Sequence, residues 1–232
     1  MLNIFLIGSC RIGFSATDKK FIKNWDLTHT TKEVLAYLDI FDGKITKEDY
    51  PNIESLMLVI KKQACKIPEF EFDYILYSNR LNKSDIVLIE ISSLKIYHKN
   101  GFIYQLNRAK KNNFSTDIHI QTEAEFIEDI KEIERRINKP IIFIGHVDLD
   151  FSDNINIKSK LNIEGRIEIR GYLDSLIRKH CKNHIICSDV FKDIHYTGII
   201  DIQHDLNDTS HLTEYASTLL LQDISEKIKT LL

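Results

Sequence analysis

Apolar residues along this chain fall into two kinds of run. Short, nearly continuous runs at residues 2–7, 85–91 and 140–145 are rich in Ile, Leu and Val. Runs of that kind predict central strands of a parallel sheet, buried on both faces. Longer stretches with apolar residues every three or four positions predict helices over 32–41, 52–64, 123–138 and 167–180. In 123–138, Phe126, Ile127, Ile130, Ile133 and Ile137 share one face, and Lys139-Pro140 stops the helix. Residues 184–187 predict a last strand. A C-terminal helix, capped by Thr209 or Ser210, is expected to turn Leu212, Tyr215, Ala216, Leu219, Leu220 and Ile224 inward.

Residues 96–99 and 102–105 flank Asn100-Gly101, a pair suited to a two-residue turn in which both positions reach positive φ. A β-hairpin excursion from the sheet is expected there, with a flap or lid and a dimer contact as its alternative roles. Strands alternating with helices predict a parallel sheet with right-handed crossovers. The fold class is therefore α/β: a three-layer α/β/α sandwich on a central, mainly parallel sheet. At 232 residues the chain suits one domain spanning 1–232.

Composition narrows the function classes. The net charge of −3 presents no basic field for nucleic acid. No apolar run approaches the roughly 20 residues needed to span a bilayer. The first apolar run is short and has no basic flank, so no secretory signal is expected. Cys10, Cys65, Cys181 and Cys187 form no C-x-x-C pair and suggest neither a zinc knuckle nor a disulfide framework. A reducing, cytoplasmic setting is expected.

Candidate chemistry gathers where strands end. Ser9 follows the first strand at Gly8, where a hydroxyl is exposed at the sheet edge and a helix N-terminus can hold an oxyanion. Small residues there also suit a plain tight turn. Asp-x-x-His occurs at Asp26/His29, Asp201/His204 and Asp208/His211. Only the last stands directly before a long amphipathic helix. There Asp208 can accept from the Nδ1–H of His211 and leave Nε2 as a general base. His29 follows a short predicted strand at 26–28, and His146 ends the 140–145 strand. Each can bind substrate or polarise a carbonyl; each also reads as a helix cap or a turn histidine. Glu90 ends an apolar strand, where a buried carboxylate needs a partner. Arg11 is one.

Other readings rank lower. Cys10 is intrinsically the better nucleophile, but two adjacent side chains at a strand end do not both face one site. The Gly8-to-Gly13 spacing mimics a phosphate loop, yet Phe14 stands where a lysine would reach the phosphates. His146-x-Asp148-x-Asp150 resembles the start of a metal site but sits in an acidic, polar stretch. No metal and no cofactor is expected.

Gly8-Ser9-Cys10 at the head and Asp208-x-x-His211 at the tail, in this order, resemble the SGNH or GDSL-like hydrolase superfamily, in its variants that begin Gly-Ser-Cys. The resemblance implies an SGNH-hydrolase, flavodoxin-like sheet, Ser9 as nucleophile, and Asp208 and His211 as its partners. It also implies a serine esterase or an O-acyltransferase, with an acylated small molecule or carbohydrate as substrate. Two departures stand out. The family's third block, G-x-N-D, supplies an asparagine as oxyanion donor. Here Glu90-Ile91-Ser92-Ser93 takes its place, leaving the hydroxyls of Ser92 and Ser93 as candidates. Gly43 is the sole glycine near the second block. The missing asparagine keeps a catalytically decayed module, binding carbohydrate or protein, as the alternative.

Overall fold

The computed structural model describes residues 2–8, 28–44, 74–99, 102–104, 117–146, 166–194, 199 and 212–232. In chain order the elements are β1 (Ile4–Ile7), α1 (Thr31–Phe41), α2 (Tyr74–Asn82), β2 (Ile86–Ile91), β3 (Lys95–Lys99), β4 (Phe102–Tyr104), β5 (Asp117–Ile120), α3 (Glu123–Ile137), β6 (Ile141–Gly145), α4 (Arg166–His180), β7 (His184–Ile186), α5 (Cys187–Val190) and α6 (Glu214–Leu231). β1, β2, β6 and β7 pair in that order, all parallel. Ile7 lies opposite Ile89, and Ile91 opposite Gly145.

Strand side chains alternate between two cores. Phe5, Ile7, Val87, Ile89, Ile91, Ile141 and Phe143 meet α1, α3 and α4 on one face. Leu6, Ile86, Leu88, Ile142, Ile144 and Ile185 meet α6 on the other. Each step from β1 to β7 moves one strand in the same direction. A single handedness of crossover therefore sends the intervening helices to one face. α6 follows the last of these strands, is free of that constraint, and covers the opposite face. The result is the expected α/β/α sandwich. Among the described residues no helix is long and apolar enough to cross a membrane.

Both helices that reach the site from the crossover face start with reciprocal caps. Thr30 caps α1 and its N3 residue Glu33 reaches back; Thr122 and Glu125 do the same for α3. At its far end α3 stops on Asn138, in the left-handed region at φ 48. That residue, ahead of the anticipated Lys139-Pro140, makes the stop.

Several expectations are corrected. The hairpin is two-thirds of a three-stranded antiparallel sheet, β4-β3-β5. β5 escaped the sequence pattern because Ile118 and Ile120 are exposed, at 62% and 45%. α2 escaped it too, since its periodicity is weak. The last strand ends at Ile186, and Cys187 already opens α5. The cap of α6 is Thr213, whose side chain accepts from the Ala216 amide, and not Thr209 or Ser210. Asp208–His211 thus precede the helix instead of opening it. The buried stripe of this helix runs through Ala216, Leu220, Ile224 and Ile228, and Tyr215 beside it is 59% exposed. The turn at Asn100-Gly101 and the helix expected at 52–64 lie outside the described residues.

The close approach of β1 and β2 at their carboxyl ends demands glycine. A Cβ added to Gly8 would lie 2.8 Å from Glu90 Cβ and 3.3 Å from its Oε2. Glu90 is itself buried, so the clash cannot be relieved outward. Gly8→Ala is expected to cost about 1–3 kcal/mol through overpacking, read as a lower urea midpoint at unchanged m-value. An unchanged midpoint would show that the two strand ends are not this tightly apposed.

Candidate functional site

The carboxyl ends of the four parallel strands define the candidate site, because loops that carry chemistry leave such sheets there. β1 leads into Gly8, β2 into Ser92, β6 into His146 and β7 into Cys187. Gly8 touches Glu90 across the first pair. Ser92, His146 and Cys187 are all at least nine-tenths buried. Of the eight residues singled out in the sequence, His29, Ser92, Ser93 and His146 are described. Ser9, Cys10, Asp208 and His211 lie outside the described residues, as do Asp148, Asp150 and the guessed partner Arg11.

The structure joins two of the candidates directly. His29 Nδ1 and Ser92 Oγ are 2.9 Å apart. Their backbones are joined as well. The amides of Ser92 and Ser93 both donate to the His29 carbonyl, each at 2.9 Å. The His29 amide in turn donates to the Glu33 carboxylate. His29 is therefore held through its N–H, its C=O and its ring. It is not the helix cap; Thr30 is. Ser93 is drawn away from the pair, its hydroxyl accepting from the Lys95 amide at 3.0 Å.

A buried polar cluster stands behind His29. Asp129 on α3 accepts from the Thr31 hydroxyl at 2.7 Å, from the Gln121 amide at 2.6 Å and from Lys32 Nζ at 2.6 Å. Three donors satisfy a carboxylate that would otherwise be costly to bury. Gln121 also ties this cluster to the chain beyond β2, since its backbone N–H donates to the Leu94 carbonyl. The start of α1 is thus pinned to α3 on one side and to the end of β2 on the other.

Glu33 is the functional neighbour that sequence reasoning missed. It is 3% exposed. Burial pushes its carboxyl up to about 7, against the opposing pull of the His29 and Thr30 amides. The signal was present as Thr30-x-x-Glu33 ahead of an apolar run. Asp174 of α4 was missed too. Its Oδ1 would sit 2.6 Å from a Cβ on Gly145, and Ser188 donates to its Oδ2 at 3.2 Å. A buried carboxylate therefore also flanks the carboxyl end of β6.

Two further expectations are placed. Gly43 adopts φ 68 in the turn after α1, with nothing within 4 Å of an added Cβ. α1 has 11 residues, so about 16 Å of helix separates Gly43 from His29. A turn at the far end of α1 does not serve as a second-block donor. Cys181 and Cys187 are buried and in no disulfide, and burial pushes the Cys181 thiol well above its ordinary range. Neither has the electropositive, accessible setting of a nucleophile. Among the described residues no group of three or more His, Cys, Asp or Glu side chains is arranged to hold a metal ion.

No family model matches the chain, and no curated protein matches it. Several solved chains do match. Among them is the crystal structure of the N-terminal part of the protein BF1531 from Bacteroides fragilis, containing a phosphatase domain complexed with Mg. It covers 97% of this chain at 11% identity with a TM-score of 0.36. The chain spans 51% of that one. A likeness of that order carries no argument about chemistry.

The raised Glu33 carboxyl links protonation to stability. A group at about 7 when folded and near 4.5 when unfolded binds its proton preferentially in the folded state. Its contribution is complete at low pH and is lost as pH rises from about 4.5 through about 7, a loss of about 3 kcal/mol. Glu33→Gln keeps the capping acceptor and removes the titration. Urea denaturation across pH 4.5–8 is expected to show a flatter stability profile for the variant than for the wild type. Superimposable profiles would mean that Glu33 titrates normally.

Proposed function

We propose that the protein is a serine-dependent esterase or O-acyltransferase of the SGNH type, acting on an acylated small molecule or carbohydrate. The observation that carries this reading is the hydroxyl of Ser92. It stands at the end of β2, where the resembled family carries its asparagine donor, and the ring of His29 holds it. The exit of β1 at Gly8, one residue before Ser9, is adjacent.

In the proposed reaction Ser9 Oγ attacks the ester carbonyl and passes its proton to His211 Nε2. The C=O electron pair moves onto the acyl oxygen, which takes a hydrogen bond from Ser92 Oγ and from amides at the start of the first crossover. Asp208 orients the ring and stabilises the imidazolium. The oxyanion collapses, the C–O bond to the alcohol breaks, and His211 returns the proton to the departing alkoxide. Water then repeats the sequence on the acyl-enzyme to give an acid; a sugar hydroxyl gives a transferred ester. The choice between these acceptors rests on pocket shape and water exclusion at the site.

A second reading has its own support. The Ser92 and Ser93 amides are spent on the His29 carbonyl, so the end of β2 offers no backbone donor to an oxyanion. A decayed binding module would tolerate that loss.

A chromogenic acetyl ester and a fluorophosphonate probe separate the readings. Turnover is expected to fall by at least about 10³-fold in Ser9→Ala, and mass spectrometry is expected to find the probe on Ser9. Modification of Cys10 or Ser92 instead would overturn the choice of nucleophile. Neither turnover nor labelling, across acyl lengths, favours the module.

A further inference from the structure

We propose that His29 is a positioning residue which fixes the hydroxyl of Ser92 as a hydrogen-bond donor to the acyl oxygen of the substrate. The inference rests on the acyl-transfer reading above and assigns a role that reading leaves open.

Three observations converge on it. First, the backbone donors at the end of β2 are committed. Both amides are taken by the His29 carbonyl, and the Ser93 hydroxyl, which keeps its own hydrogen, is turned back to accept from the Lys95 amide. Ser92 Oγ is the hydroxyl of this segment that another side chain positions: among the described residues its partner is His29 Nδ1.

Second, the ring has little freedom to drift from that partner. The His29 amide is anchored on Glu33, and its carbonyl takes two amides from the very segment that carries Ser92. Ring and hydroxyl therefore belong to one stapled unit. Thr31, through Asp129 and Gln121, ties that unit to α3.

Third, proton bookkeeping makes the direction of the bond decisive. A serine hydroxyl has one hydrogen and two lone pairs. If it donates to His29 Nδ1, that hydrogen is consumed. If Nδ1–H donates to it, Ser92 Oγ is held through a lone pair and its own hydrogen is available for the developing negative charge. The role therefore requires the tautomer with the proton on Nδ1. No bond is made or broken at His29 or Ser92; they supply only a preorganised dipole.

Ser92→Ala, His29→Leu, the double variant and His29→Asn test this with the acetyl ester, beside Ser9→Ala. Loss of one oxyanion donor lowers kcat by about 10²–10³-fold. That loss is expected in Ser92→Ala and His29→Leu at nearly unchanged KM, and the double variant is expected to be no slower than either single one. The side-chain amide of His29→Asn donates from nearly the position of Nδ1–H, so it is expected to recover most of kcat. A purely structural role would move stability and KM without that rescue. Wild-type kcat in Ser92→Ala, or losses that multiply in the double variant, would overturn the inference. If Ser9→Ala abolishes turnover while Ser92→Ala is silent, this inference falls and the acyl-enzyme reading stands. If Ser9→Ala retains turnover, or the wild type neither turns over nor labels, both fall.

Discussion

The site is organised by one carbonyl. The C=O of His29 accepts from two consecutive amides, Ser92 and Ser93, at the point where β2 stops. A carbonyl oxygen has two lone pairs, and here both are used. The chain at the end of β2 must turn to present both N–H groups inward, which ends the strand. The segment entering α1 is clamped onto the same place. A net hydrogen bond contributes only about 0.5–1.5 kcal/mol, but an orphaned amide in this buried edge would cost about 1–3 kcal/mol. The arrangement is therefore self-enforcing. It brings the His29 ring to Ser92, separated by 63 positions along the chain. It also commits two consecutive backbone donors at the end of β2.

The layers of the fold explain why so much polar chemistry survives burial here. The two cores are apolar and are divided by strict alternation along the strands. Several buried polar groups gather at the edge where strands end. There the carboxylates are tied down: Asp129 by three donors, Glu33 by the amides of His29 and Thr30, Asp174 by Ser188. Glu33 differs from the rest in that burial outweighs its partners, so its charge is poised near neutrality. Glycines at 8 and 145 let carboxylates approach the strand ends closely.

How much of this was legible in the sequence depends on what each element buries. β1, β2 and β6 are hidden on both faces, so their Ile- and Leu-rich runs announce them. α3 shows a clean apolar stripe, although the pattern placed Ile127 fully inward and overlooked Asp129, a buried charge that periodicity counts as surface. β5 buries almost nothing, and its Asp-Ile-His-Ile alternation gives no core signal. Tyr215 was expected inward, but the buried stripe of α6 runs through Ala216, Leu220, Ile224 and Ile228 and leaves Tyr215 outside it. At the site, Ser92 and His29 were visible singly as polar residues at strand ends. Their contact was not, because it follows from a backbone clamp between distant segments. Glu33 was readable only as the third residue of a capping box, a local signature that says nothing of its depth.

The central claim is that the hydroxyl at the end of β2 faces the acyl oxygen of a group carried on Ser9. A crystal structure of the protein after reaction with an alkyl fluorophosphonate tests it most directly. The account predicts phosphorus bonded to Ser9 Oγ, with one phosphoryl oxygen within about 3 Å of Ser92 Oγ and the His29 ring still against that hydroxyl. An adduct on another residue, or a phosphoryl oxygen turned away from Ser92, would contradict it.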